Sequence, residues 1–156
     1  MIYKLEVFKL VTETQLYKLI KLNLPNGYDL SLRLNHARTS EAINVSQVEV
    51  IKNSLSVYFK SAYKPLRNAS GNYVRNSRRV IFNLYTDFVS EDAIDRGYVI
   101  LGELKNNLLK LCNSTVDVDG EFIKIIDSEI GVDINYIGQT EQGQALFSLE
   151  IILTYQ

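Results

Sequence analysis

The sequence predicts an α+β protein with a mostly antiparallel sheet, an N-terminal strand and hairpin, and one long amphipathic helix at about residues 90–112 packed on the sheet. Three patterns carry this prediction. The last segment alternates with a period of two, as expected of a paired strand with one buried face. An apolar stripe with helical spacing lies earlier in the chain. Between two apolar runs, Asn26-Gly27 supplies the positive backbone angles of a tight hairpin.

Length and composition bound the class of protein. The chain has 156 residues, 46% hydrophobic and 22% charged, which is typical of one globular domain spanning residues 1–156. No apolar run approaches the roughly 20 residues that a membrane span needs. The single cysteine, Cys112, excludes an internal disulfide framework and a cysteine-based zinc site. The N-terminus has charges inside its apolar stretch and does not fit a secretory signal, so we expect a cytoplasmic setting.

The N-terminal part of the chain is predicted to be mainly strand. Met1–Val11 alternates between apolar and polar residues and predicts a strand. On either side of the Asn-Gly turn, Lys18–Leu24 and Tyr28–Leu34 predict the two arms of a hairpin. A helix over Thr12–Leu22 is the alternative, because Thr12-Glu13-Thr14-Gln15 has the composition of a capping box.

Residues 40–63 fit two patterns. The spacing of a helical stripe is met by Val48, Ile51, Leu55 and Tyr58. Two strands around Lys52-Asn53-Ser54 would instead contain Val48 and Val50 in the first and Leu55, Val57 and Phe59 in the second. The β-branched residues favour the strands. From Lys64 to Arg79, many Asn, Ser, Gly and Pro residues predict a long polar loop, so the segment at about 60–79 is expected to be a basic loop or arm.

The C-terminal half alternates between strand and helix signals. Val80–Phe88 predicts a strand, and Ser90 is a good N-cap for the helix that follows. The apolar stripe of that helix comprises Ile94, Tyr98, Leu101, Leu104, Leu108 and Leu111. After a turn at Asp117–Gly120, a strand over Phe122–Ile134 and a loop over Asn135–Gly143 lead to the last strand. The buried face of the last strand is predicted to contain Ala145, Phe147, Leu149, Ile151, Leu153 and Tyr155.

Charge is segregated along the chain although the net charge is only −1. Residues 1–49 carry six bases and five acids, and residues 50–86 carry seven bases and no acid. Residues 87–156 carry thirteen acids and four bases, a balance of −9. Segregation of this kind indicates partners rather than fold. The basic stretch is expected to meet either a polyanion or the acidic half of another copy.

Candidate catalytic and metal-binding groups are few. Asp117-x-Asp119-Gly120 followed by Glu121 resembles part of a metal loop, but the ligand spacing fails, and a hairpin turn is the better interpretation. His36 is the only histidine and has no partner for general-base or metal chemistry nearby in sequence. Cys112 is expected to act as a small hydrophobe. The glycines have no phosphate-binding spacing. We therefore predict no catalytic residue, no cofactor and no metal, and a protein that is not an enzyme.

The basic segment is the one positive functional signal. Between Tyr58 and Arg79, aromatic residues interleave with cations, as on surfaces that bind single-stranded nucleic acid. A solvated loop whose aromatic residues turn into the core is the alternative. The predicted contact residues, for an oligomer or for DNA, are Lys60, Lys64, Arg67, Arg75, Arg78 and Arg79.

The order of elements in Val80–Gln156 resembles that of the tail terminator and head-to-tail joining proteins of tailed bacteriophages. The resemblance rests on a strand at Val80–Thr86, a helix at Ser90–Cys112, a strand at Ile123–Asp127 and a closing strand at Ala145–Tyr155. It covers about half of the chain and is a pattern of elements without diagnostic residues. The first 50 or so residues depart from it, because that family often opens with a helix.

The resemblance implies a virion protein that is assembled in the host cytoplasm and forms a ring, commonly a hexamer, at the neck or tail end. Its expected partners are further copies, other neck, portal or tail proteins, and DNA passing through the ring, without a membrane. Charge segregation offers a route to such a ring. A basic arm that docks on the acidic surface of the next copy is a head-to-tail contact, and a head-to-tail contact that closes by rotation generates a ring.

Overall fold

A computed structural model describes residues 11–28, 30–34, 53–60, 64–67, 73–141 and 143–156. These residues form an α+β architecture with two helices and a mostly antiparallel sheet. The helices are α1 (Glu13–Leu22) and α2 (Glu91–Leu109). The strands are β1 (Ser31–Leu34), β2 (Ser54–Phe59), β3 (Lys64–Arg67), β4 (Tyr73–Phe88), β5 (Ser114–Val118), β6 (Glu121–Gln139) and β7 (Gln144–Tyr155).

Six strands follow one path in the order β1-β2-β4-β7-β6-β5, and β3 pairs with β4 beside this path. Among the described strands, only the β1–β2 pair is parallel. Two strands share β4: its residues 80–85 pair with β2 and its residues 73–77 pair with β3. On the other side β4 pairs with β7 from Asn76↔Tyr155 to Phe88↔Gln144. The last strand in the chain is therefore central in the sheet.

Helix α1 replaces the predicted N-terminal hairpin, whose first arm was wrong. The side chain of Thr12 accepts from the backbone of Gln15 while the Gln15 side chain accepts from the Thr12 backbone, which completes the capping box of the alternative prediction. Leu16, Leu19 and Ile20 are buried with helical spacing. The turn signal remains, since Gly27 has φ of 89°, but it joins a helix to β1. The tight hairpin turn is therefore wrong, and only the positive φ at Gly27 agrees with the prediction.

The ambiguous stretch after residue 40 is resolved in part. β2 confirms a strand over the residues Leu55, Val57 and Phe59, all buried, so the helical stripe is wrong there. The other strand proposed for this stretch, and the predicted N-terminal strand apart from its last residue, lie outside the described residues.

The polar loop predicted from Lys64 to Arg79 is wrong, because β3 and the first part of β4 occupy much of this segment. The register is Lys64↔Ser77, Pro65↔Asn76 and Leu66↔Arg75. The local sequence alone favours turns at Asn and Ser residues. Here an antiparallel partner supplies the backbone hydrogen bonds, which local sequence composition does not reveal.

The strand predicted over Val80–Phe88 is confirmed as the second part of β4, and helix α2 starts as predicted. The Ser90 side chain accepts from the backbone N–H of Ala93 at 3.1 Å. The helix ends at Leu109, so its 19 residues are an ordinary length and the long helix predicted to about residue 112 is not seen. Its buried residues include Ile100, Leu101, Leu104 and Leu108. Gly97 lets the helix approach β7, because a Cβ there would lie 2.2 Å from the Phe147 ring.

The last three strands differ in how well they were predicted. β7 is confirmed, and its predicted inner residues are all buried. β5 was not predicted, because only its following turn at Asp117–Gly120 gave a signal. β6 is longer than predicted and includes residues 135–139, which were assigned to a loop. Its pairing with β7 shifts register at four places, which indicates bulges.

The two faces of the sheet have different compositions. One face, with Leu55, Val80 and Phe147, joins the apolar residues of α1 and α2 in one hydrophobic core. The opposite face carries polar residues, among them Ser54, Ser56 and Glu150, which are 2%, 3% and 4% exposed. Polar groups on this second face therefore need partners.

Candidate assembly surface

The six predicted contact residues lie along the β2–β3–β4 part of the sheet. Lys60 directly follows β2, Lys64 and Arg67 begin and end β3, and Arg75, Arg78 and Arg79 lie on β4. Lys60 and Arg79 are adjacent, since the Lys60 N–H donates to the Arg79 carbonyl at 3.0 Å. The prediction that these bases would form one loop or arm is thus corrected: five of them lie on paired strands, and Lys60 directly follows one.

One buried carboxylate forms ion pairs with two of these bases. The Glu150 side chain, on β7, is 6% exposed, and its Oε1 lies 3.1 Å from Nη1 of Arg79 and 3.9 Å from Nζ of Lys60. Both bases keep about half of their side chains in solvent, at 47% and 49%. A buried carboxylate without a partner is strongly unfavourable, so these two contacts offset the cost of burying the Glu150 side chain on the second face.

The surroundings of Glu150 are close-packed. Tyr58 on β2 has its pKa raised above the ordinary value by burial and by the negative charge of Glu150. On the β6 side, a Cβ at Gly131 would lie 2.9 Å from Cγ of Glu150. The carboxylate therefore joins β2, β4, β6 and β7, and its main effect is structural.

Arg78 has its own partners within the chain. Its guanidinium donates to Glu13 of α1 and lies 5.6 Å from the centre of the Phe59 ring. Its side chain is only 14% exposed. With Lys60 and Arg79, it is the third predicted contact residue that meets an acid of the same chain. Each of these three residues therefore has an acid partner within the chain, and the side chains of Lys64, Arg67 and Arg75 lie outside the described part of the structure.

A second surface, which sequence reasoning missed, is the outer edge of β6. β5 pairs with β6 only from Glu121 to Ile125, and β7 pairs with its other side from Ile125 to Gln139. From Asp127 to Gln139, no described strand pairs with the outer side of β6. We call this stretch the open edge. A strand edge of this kind presents backbone donors and acceptors to another strand.

Side chains along the open edge are apolar and acidic. Ile130, Val132 and Ile137 are 39%, 53% and 54% exposed. Glu129 is exposed, and Asp133 lies 3.2 Å from Lys105 of α2. The backbone N–H of Ile134 donates to the Asp133 carboxylate at 2.7 Å, and this bond, followed by the nearby Lys105, lowers the pKa of Asp133. The signal available in the sequence was the alternation of Glu129, Gly131 and Asp133 with apolar residues, continued to Ile137.

The acids around the β5–β6 turn have structural partners. Asp117 accepts from the Gly120 N–H at 2.8 Å, as in an Asx turn, and Gly120 has φ of 84°. Asp119 pairs with Lys18, and Glu121 accepts from Gln15, so both hold α1 against this turn. Within the described ranges, no group of three or more metal-ligating side chains is found. The hairpin-turn interpretation of this motif is confirmed.

Cys112 differs from its prediction as a small hydrophobe, because it is exposed. It follows the end of α2, and its thiol lies 3.7 Å from the carbonyl oxygen of Ile126 and 3.7 Å from Oδ1 of Asp127. His36 lies outside the described residues.

Comparisons with known proteins add no family. No protein-family model matches the chain, and no curated protein matches it significantly. Neither α1 nor α2, the helices in the described residues, has the length and apolar character of a membrane-crossing helix.

Proposed function

We propose that this protein is a non-enzymatic structural protein of a tailed-phage virion that forms a ring at the head–tail junction or the tail end. The observation that carries the proposal is the open edge of β6, with its exposed Ile130, Val132 and Ile137. Unpaired strand edges and clustered exposed apolar side chains are features of surfaces that bind other proteins.

The order of elements also supports the proposal. The resemblance to phage tail terminator and joining proteins rests on a strand, a helix and two further strands, and β4, α2, β6 and β7 follow that order. The expected departure at the N-terminus is smaller than the sequence predicted, because α1 supplies a helix early in the chain. These are likenesses of pattern, so the virion setting remains a proposal.

The contacts within the ring are revised in this proposal. Lys60, Arg78 and Arg79 are engaged with acids of their own chain, so the basic contribution to a neighbour falls to Lys64, Arg67 and Arg75. The ring has six or more copies in this proposal. Other neck, portal or tail proteins lie above and below it, and DNA passes through its centre.

The first test is the native mass of the purified protein over a wide range of concentrations, measured by light scattering and native mass spectrometry. We expect one closed species with a mass that is a whole multiple of the monomer mass. A protein that stays monomeric at every concentration would contradict the proposal. A portal or tail-tube reading frame next to the one for this protein would support the virion setting independently.

A matched pair of variants tests whether the open edge carries the assembly. Ile137→Ser alters an exposed apolar residue on the open edge, and we expect it to weaken assembly. Phe122→Ser alters a residue of β6 that is 62% exposed but lies where β5 pairs with the strand. We expect the second variant to assemble like the wild type. Equal loss in both variants would point to general apolar contact rather than to the edge.

A second candidate function is binding of nucleic acid by the basic aromatic segment 58–79. The observation that favours it is the β3–β4 pairing, which brings Lys64, Arg67 and Arg75 onto two adjacent strands. Phosphate contacts make affinity fall steeply as salt rises. Binding of single-stranded DNA that is lost between low and physiological salt is the expected result, and a flat gel-shift titration at low salt would reject this candidate.

A further inference from the structure

We infer that the open edge of β6 pairs with strand β1 of a second copy, so that sheets of neighbouring copies join head to tail. This inference rests on the proposed function, because it names the contact by which the ring would form. It combines two observations on the described residues: the charges of β1 and β6, and the position of β1 at one end of the sheet and of β6 next to the short β5 at the other.

The chemistry of the open edge requires a strand as its partner. A row of backbone N–H and C=O groups is best satisfied by another extended backbone, as when a strand is added to a sheet. The exposed apolar side chains beside them, Val132 and Ile137, would gain burial from the same contact.

The charges of β6 disfavour pairing with β6 of another copy. Residues 127–139 contain three acids, Asp127, Glu129 and Asp133, and no base. Pairing two such edges around a twofold axis would bring like charges together across the strands, which is destabilising. The same acids discourage unspecific edge contacts and select a partner edge with basic residues.

Basic residues occur at the other side of the sheet. β1 contains Arg33 and no acid, and the nearby β3 contains Lys64 and Arg67 and no acid. Among the described strands, β1 pairs only with β2 and ends the path of the sheet. Pro65 makes β3 a poor receiver of another strand, since proline lacks an N–H. β1 is therefore the better occupant.

A contact between opposite sides of the same sheet cannot close as a dimer of like surfaces. Each copy uses β6 towards one neighbour and β1 towards the other, which is a heterologous contact. Such a contact closes into a ring when the rotation from copy to copy divides a full turn. The geometry thus gives the proposed ring a defined polarity from one copy to the next.

A charge exchange tests the inference on the full-length protein. Glu129→Arg on β6 and Arg33→Glu on β1 each put like charges across the contact, and their combination restores opposite charges. We expect each single variant to raise the concentration needed for half-assembly roughly three- to tenfold, and the double variant to recover most of the loss. The control is Glu141→Arg, an exposed acid after β6 and off the open edge, which should assemble like the wild type.

Hydrogen exchange gives a second measurement on the same proteins. The amides of residues 127–139 and 31–34 should exchange more slowly in the assembled wild type than in the dilute protein. Assembly of both single variants at wild-type concentrations would overturn the β1–β6 pairing and leave the proposed ring standing. A wild type that never assembles would overturn the proposed function itself, so the two failures are distinguishable. Circular dichroism of each variant reports whether it has folded.

Discussion

β7 and β6 are adjacent antiparallel strands of one sheet, with 12 and 19 residues, but their surroundings are opposite. β7 has a strand on each side and a buried residue at almost every inward position. Among the described strands, only β7 pairs with β6 after Ile125, and most of the later residues of β6 are exposed. Apolar residues in a strand therefore have two uses. In β7 they stabilise the fold, whereas in β6 they remain accessible to another molecule.

The largest expected difference comes from truncating one apolar side chain in each strand. Phe147→Ala in β7 removes a fully buried ring that contacts Tyr98 and Tyr136, and should cost about 3–5 kcal/mol of unfolding free energy. Ile137→Ala in β6 removes atoms that are largely in solvent, and should change stability by less than about 0.5 kcal/mol. Urea denaturation measures both. Similar costs for the two variants would contradict the comparison.

A smaller loss is expected where α2 approaches β7. Gly97→Ala places a methyl group against the Phe147 ring, and overpacking of this kind costs about 1–3 kcal/mol. Gly102→Ala is the matched control on the same helix, because a Cβ there has no atom within 4 Å. That variant should be more stable than the wild type by about 0.4–1 kcal/mol. Opposite signs in thermal denaturation would confirm that β7, and not helix propensity alone, decides the effect.

Removing the buried charge of β7 should have an intermediate effect on the free energy of unfolding. Glu150→Gln removes the ion pairs with Arg79 and Lys60 and should cost about 1–2 kcal/mol, because both bases are half exposed and regain water. Glu141→Gln, an exposed acid in the turn before β7, should be neutral within about 0.5 kcal/mol. The measurement is the urea midpoint at neutral pH. A neutral Glu150→Gln would show that the second face does not need this carboxylate.

The smallest effect is expected from the acid on β6. Because the pKa of Asp133 is lowered in the fold from 3.8, its ionised form contributes stability above that pH, and the contribution is lost as the pH falls through the lowered value. Asp133 is 62% exposed, so solvent reduces the size of the effect. Asp133→Asn should therefore lower the melting temperature slightly at pH 7 and not at pH 2. A larger effect at pH 2 would contradict the assigned sign.

The elements that were predicted correctly have complete local signals. α2 has an N-cap, acids in its first turn and an apolar stripe, and β7 has an unbroken alternation over its length. The elements that were missed depend on partners distant in sequence. β3 and the start of β4 look like a loop until they pair, and α1 was set aside because one Asn-Gly turn outweighed its capping box.

The candidate surface was predicted only in part for the same reason. A sequence identifies which residues are basic but not which acids meet them. Arg78 and Glu13 are 65 residues apart, and Arg79 and Glu150 are 71 apart. Only the fold brings them together. It gives Arg78 and Arg79 acid partners within the chain, which the sequence does not reveal. The extent of the open edge of β6 likewise depends on the fold, because it begins where the pairing with β5 stops.

The central position of β7 has a consequence for how the molecule folds. β4 and β6 meet only through β7, which follows all other described strands in the chain. Until β7 pairs with β4 and β6, each of these two strands exposes an edge. The hydrophobic core also lacks the side chains of β7, including Phe147. The β6–β7 pairing is a local hairpin, whereas the β4–β7 pairing joins residues far apart in the chain, such as Asn76 and Tyr155, which makes for a high contact order and a slow search. Folding should therefore culminate in one late, cooperative step, before which the nascent protein is most prone to aggregate.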